Sequence, residues 1–148
     1  MGTNVLCEVL AMIYSKVFPL DTFPAHKYVV TFARYQGQWL FSRHRSRTTW
    51  ETQGGHIEEG ETPLQAARRE LYEESGATDF TITPMFDYWA GSRTGCGVGV
   101  IFLAEITELG PLPESEMAEV RLFDTLPENL TYPEITPFLF EAIEKGCP

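Results

Sequence analysis

Cysteine is scarce in this chain, with Cys7, Cys96 and Cys147 the three present. The count is odd and no two have Cys-x-x-Cys spacing. Neither a disulfide framework nor a zinc site is therefore expected, and a reducing, cytoplasmic setting suits them. Long apolar runs are missing too. No stretch approaches the length of a membrane span. Glu8 interrupts the short apolar stretch near the N-terminus, which has no basic segment ahead of it, so a secretory signal is not expected. Leu6 spoils a myristoylation motif, and the terminal Lys145-Gly146-Cys147-Pro148 is not a prenylation box. Positive charge is in short supply: 11 Lys and Arg stand against 21 Asp and Glu, a formal net charge of -10. Such a surface repels polyanions, which argues against nucleic acid polymers and membranes as partners. A small phosphorylated ligand remains compatible, because bound divalent cations reverse the local field.

What is present is an ordinary globular composition, 43% hydrophobic over 148 residues, enough to bury a core as one domain spanning 1–148. Tyr28 to Ala33 is rich in β-branched and aromatic residues, Gln36-Gly37-Gln38 breaks the run, and Trp39 to Phe41 resumes it, which predicts a β-hairpin. Leu6 to Tyr14 fits a strand or a helix start. Arg43 to Gln53 reads as a polar loop, and Gly54-Gly55 as a tight backbone feature. The spacing then predicts a helix over about 63–75: Thr62 as N-cap, Pro63 in the first turn, Gln65 completing a capping box, Leu64, Ala67 and Leu71 on one face, and Gly76 as the stop. Phe80 to Ile82, Met85 to Trp89, Val98 to Ile106 and Val120 to Phe123 read as strands. Thr136-Pro137 repeats the N-cap pattern ahead of a buried stripe of Phe138, Leu139, Ala142 and Ile143. Strands and helices in this order predict an α/β fold, a mixed sheet with helices packed on it.

The polar side of the first helix carries chemistry. Glu70, Glu73 and Glu74 stand at i, i+3 and i+4 and share one face. Like charges that close repel, and a hard cation such as Mg²⁺ relieves them. A solvated acidic face partnered by Arg68 and Arg69 is the other reading of this spacing.

From Gly55 to Ala77 the sequence resembles the Nudix box, G-x5-E-x7-R-E-u-x-E-E-x-G-u, with Gly55, Glu61, Arg69, Glu70, Leu71, Glu73, Glu74, Gly76 and Ala77 filling its defined positions. The resemblance implies an α/β/α sandwich with a mixed central β-sheet. It implies Mg²⁺, with Mn²⁺ as the alternative ion, held by Glu70, Glu73, Glu74 and the carbonyl of Gly54 or Gly55. Glu70 and Glu73 would also act in catalysis, and Arg69 would orient the carboxylates by pairing with Glu61 or a neighbour. The implied reaction is hydrolysis of a diphosphate linkage in a nucleoside diphosphate derivative. The case most similar is that of bacterial 8-oxo-dGTP diphosphatases, in which a purine nucleoside triphosphate, oxidised or not, gives a monophosphate and pyrophosphate. In that family a proton-accepting carboxylate often lies before a late strand, where Glu114, Glu116 and Glu119 stand here, Glu116 first among them. Gln53 departs from the Pro that many relatives carry before the paired glycines.

Lesser features surround the box. Arg43, His44, Arg45 and Arg47 form a basic cluster suited to the substrate's outer phosphates, Arg43 and Arg45 above all, or simply a solvated loop. Leu126-Pro127-Glu128-Asn129 resembles a segment in which an Asn reads a purine edge, and equally a turn. Trp50, Tyr88 and Trp89 suit base stacking or core packing. Cys96, between Gly95 and Gly97, reads as a small buried filler. An isopentenyl diphosphate isomerase-like enzyme and a non-catalytic nucleotide-sensing domain share the fold, and the intact box argues against both. A monomer or homodimer acting on a small nucleotide is expected.

Overall fold

The computed structural model describes residues 14–92 and 95–148. The leading stretch Leu6 to Tyr14 lies outside them save for Tyr14. Their elements are β1 (Tyr14–Pro19), β2 (Tyr28–Tyr35), β3 (Gln38–His44), β4 (Gln53–His56), α1 (Pro63–Ser75), β5 (Ala77–Ser92), β6 (Gly95–Leu109), β7 (Met117–Phe123) and α2 (Thr136–Lys145).

The hairpin forms as its residues predict. Gln36 and Gly37 both adopt positive φ, 53° and 82°, as a two-residue turn with matched twist requires. The α1 helix is set by its ends. Thr62 and Gln65 form the reciprocal capping box, and Gly76, at φ 85°, closes the last turn by donating to the Tyr72 carbonyl. The C-terminal helix departs from expectation. Ile135, not Thr136, is the N-cap, without a side-chain cap bond. Phe138 is 57% exposed, while Thr136, Leu139, Phe140 and Ile143 are buried. Those four positions are i, i+3, i+4 and i+7, and Phe138 falls between the rows they define.

Seven strands make one mixed sheet, ordered β1-β5-β6-β2-β3-β7 with β4 paired to β2. Only β2 and β6 run parallel among these pairs. Phe80–Ile82 and Met85–Trp89, separate by Pro84 in the sequence, lie in the single strand β5, which accommodates the proline at a register shift between Pro84 and Phe86. Alternation along the strands builds two cores. Ala33, Leu40, Ala104 and Ile106 face α1 through Leu71, joined by Val29, Val100 and Phe102 against Ala66 and Ala67. Phe32, Trp39, Phe41 and Ile101 face α2 through Leu139, Phe140 and Ile143. The helices thus cover opposite faces of the sheet.

The sheet splits along β2. Ala33–Tyr35 pair with β3, whereas Tyr28–Thr31 pair with β4. The region expected as a tight glycine feature is therefore a short strand, and the cleft it opens beside β3 lies next to the carboxylate end of α1.

Candidate active site

Arg69 organises the acidic face of α1. Its Nε and Nη2 donate to Glu61 at 2.7 and 2.9 Å, and its Nη1 donates to Glu70 at 2.7 Å. Nη1 also lies 3.5 Å from Glu73, which is largely open to solvent. The guanidinium holds the Glu61 carboxyl down, to about 2. Glu70 is shifted up instead, because burial outweighs its bond to Arg69 and because Glu73 and Glu116 repel it.

Glu74, one turn further along α1, meets β4 at Gly54 and lines the cavity that opens there. It is 9% exposed. Its Oε1 accepts the Gly54 N–H at 2.7 Å. Burial, with Glu70, Glu51 and Glu116 nearby, pushes its carboxyl up to about 8 against that one favourable bond. Gly55 lies beside Glu70. A Cβ there would stand 2.9 Å from Glu70 Oε1, so only glycine lets the carboxylate approach this backbone.

As they stand, no three Cys, His, Asp or Glu side chains among the described residues enclose a cation, since Arg69 engages Glu70 and Gly54 engages Glu74. The donor set nevertheless fits a hard divalent ion. It consists of carboxylate oxygens and a glycine backbone, with a buried acid, Glu74, that has no ion-pair partner among the described residues.

Above Glu74 opens a cavity of about 520 Å³. Its lining is both polar, with Glu51, Glu74, Glu116, His44 and Arg47, and aromatic or aliphatic, with Tyr28, Tyr88, Tyr132 and Leu139. Of the three candidate acids, Glu114 and Glu116 precede β7 and Glu119 lies in it, and Glu116 alone of the three lines the cavity. Glu114 stands outside, and Glu119 is bound to Arg43 at 3.1 Å and Arg121 at 2.9 Å.

The basic cluster divides: Arg43 and His44 are neighbours on β3 and point to opposite faces, while Arg45 and Arg47 lie beyond the end of that strand. His44 and Arg47 line the cavity. Arg43 and Arg45, the two expected to bind phosphate, do not line it: Arg43 is tied to Glu119, and Arg45 donates to the Ser115 carbonyl. Asn129 also lies away from the cavity, beside a separate depression, with its carbonyl bonded to Trp50 N–H at 2.7 Å. Trp50 and Trp89 are core residues, whereas buried Tyr88 forms part of the cavity wall. Cys96 is only half-buried on β6 and is disulfide-bonded, so it is not the inert filler expected of a lone cysteine between glycines. Sequence reasoning missed Glu51, Tyr28 and Tyr132. Glu51 accepts from Arg47, four residues away, at 3.2 Å, and from Thr131, far along the chain, at 3.2 Å.

Comparison with known proteins gives the family and the fold. The model of the NUDIX domain matches residues 24–143. The protein named "Putative 8-oxo-dGTP diphosphatase YtkD" of Bacillus subtilis (strain 168) is 32% identical over 116 residues, covering 76% of this chain and 70% of its own. An RNA pyrophosphohydrolase of Photobacterium profundum is 39% identical over 62 residues, 40% of this chain and 36% of that protein. Among solved structures, the Bacillus subtilis pyrophosphohydrolase BsRppH superposes with TM-score 0.73 at 24% identity, covering 88% of this chain and 90% of that one. The NUDIX domain of Shewanella oneidensis NrtR, complexed with ADP ribose, superposes with TM-score 0.66 at 19% identity, covering 86% and 93%. These structural likenesses carry the fold, and the family match over most of the length carries the assignment: the chain belongs to the Nudix family of hydrolases.

Proposed function

We propose that this protein hydrolyses the phosphoanhydride of a purine nucleoside triphosphate, releasing the monophosphate and pyrophosphate, with Mg²⁺ as its cofactor. The observation that carries the reading is the cavity beside β4, which Glu51, Glu74 and Glu116 line together with Tyr28, Tyr88 and Tyr132, with Glu70 lying against its lining residue Gly55. Glu70, Glu73 and Glu74, with the Gly55 carbonyl, would hold the ion. When bound, that ion neutralises phosphate oxygens and acidifies the attacking water. Arg69 orients Glu70 while Glu61 anchors Arg69 in turn. Glu116, open to solvent at the cavity edge, accepts the proton of the attacking water. Arg47 and His44 take the outer phosphates. The lining tyrosines offer faces for a base to stack on.

A free nucleotide is favoured over the 5′ end of an RNA chain because a net charge of -10 opposes a long polyanion. A panel of nucleoside triphosphates (oxidised purines included), ADP-ribose and a triphosphorylated RNA, assayed with Mg²⁺ for phosphate and pyrophosphate release, tests the reading. Pyrophosphate from a purine triphosphate is the expected product. Turnover confined to RNA, or no turnover of any diphosphate compound, would overturn it.

A further inference from the structure

Gln53 is polar and yet wholly buried, immediately before the glycine pair of the site. Its Nε2 donates to the Leu40 carbonyl at 3.2 Å and to Ser42 Oγ at 2.9 Å. Ser42 Oγ in turn donates to the Glu74 carbonyl at 2.8 Å. One residue further along β4, Gly54 N–H binds the Glu74 carboxylate. Adjacent residues of one strand thus grip Glu74 twice, at its backbone through Ser42 and at its side chain directly.

On β2, Thr31 is the register partner of Gln53, and Thr31 Oγ1 and Gln53 Oε1 are both buried with no hydrogen-bond partner among the described residues. Thr31, Ser42 and Gln53 are each at most 1% exposed. Burying three such groups costs desolvation that apolar side chains of equal size avoid. What the chain supplies instead is a single arrangement, since hydrogen bonds have direction and dispersion contacts do not.

We propose that Gln53 is a positioning residue for the cation site: acting through Ser42, it fixes the last turn of α1 against β4, so that the Glu74 carboxylate is presented at one place and one angle. The inference rests on the reading of Glu74 as a cation ligand, and goes beyond it in assigning the placement of that ligand to an amide that touches neither ion nor substrate.

The test is titration of the full chain with Mn²⁺, following the free ion by electron paramagnetic resonance, beside thermal unfolding. Gln53→Met and Ser42→Ala should each weaken Mn²⁺ binding by about tenfold, and the double variant should lose little more than either alone, because both cut one chain. Ile106→Val, a buried change in the same layer, should lower the unfolding midpoint and leave Mn²⁺ affinity unchanged. Unchanged affinity in Gln53→Met and Ser42→Ala, with affinity lost in Glu74→Gln, overturns the inference alone. Should Gln53→Met fail to fold, Ser42→Ala decides by the same criterion. If Glu74→Gln binds as tightly as the parent, Glu74 is no ligand and both readings fall.

Discussion

The Gly54 amide donates to the Glu74 carboxylate at 2.7 Å, and this is the one hydrogen bond that favours ionising an acid otherwise surrounded by protein and by other carboxylates. Glu74 consequently titrates near 8 in the folded, metal-free chain, against about 4.5 in the unfolded one. Between those values the native state binds the additional proton, so stability falls as pH rises from 4.5 to 8. Glu74→Gln keeps the acceptor for Gly54 and removes the charge. It should stabilise the metal-free protein at pH 8 by roughly 2–4 kcal/mol and have little effect below pH 4.5. Urea unfolding in chelator at pH 4.5 and 8 checks this, and an equal effect at both would count against it. Mg²⁺ should recover stability at pH 8 in the parent far more than in the variant.

Arg69 spans two carboxylates that titrate in opposite directions. Its bidentate hold on Glu61 keeps that group ionised down to about pH 2. A folded-state pKa below the unfolded one contributes stability that is complete above about 4.5 and is lost as pH falls through 2. Glu61→Gln should therefore flatten the acid branch of the stability profile over that interval, as read by unfolding from pH 2 to 5. Lysine cannot form the fork. Arg69→Lys should lower kcat/KM by about 10- to 100-fold, the range typical of residues that orient metal ligands, with a smaller change in unfolding midpoint.

Local chemistry made α1 legible. The Thr62–Gln65 box, Pro63 and Gly76 mark its ends within the sequence, and the observed helix covers Pro63–Ser75 as expected. The carboxylate face was equally readable, because i, i+3 and i+4 spacing determines which residues share a side. What escaped depends on partners far along the chain. Gln53–His56 looks like a loop until Tyr28–Thr31 offers it a strand to pair with. Phe138 belongs to the apolar set by composition, and only the phase of α2 against the sheet turns it outward. Arg43 and Arg47 are indistinguishable as sequence. Arg43, on β3, meets Glu119 of the paired strand β7, while Arg47, in the turn beyond β3, meets Glu51 and the cavity.

That division of the arginines is measurable. Arg47→Ala should raise KM for the triphosphate about tenfold, equivalent to about 1.4 kcal/mol of binding, since it removes a cation from the cavity wall. Arg43→Ala should leave KM unchanged. It breaks a part-exposed pair with Glu119, 26% and 35% exposed, for which screening allows a stability loss of at most about 1 kcal/mol. The opposite pattern, with KM sensitive to Arg43 alone, would mean that the loop rearranges when substrate binds.

Glu116 stands at the cavity edge, 3.8 Å from His44, with its side chain 80% exposed, and its charge raises both Glu70 and Glu74. Reach toward the metal-ligand end, without engagement in the Arg69 network, is what a proton acceptor for the attacking water needs. Glu116→Gln should lower kcat by about 10²- to 10⁴-fold. Removing its repulsion should also bring the Glu70 and Glu74 carboxyls down, so Mn²⁺ affinity should hold or improve slightly. Loss of turnover without loss of ion binding separates a base from a ligand. Glu114→Gln and Glu119→Gln, outside the cavity, serve as controls and should retain kcat. Single-turnover kinetics with parallel Mn²⁺ titration makes the measurement. Full turnover in all three variants would return the proton to a carboxylate of α1.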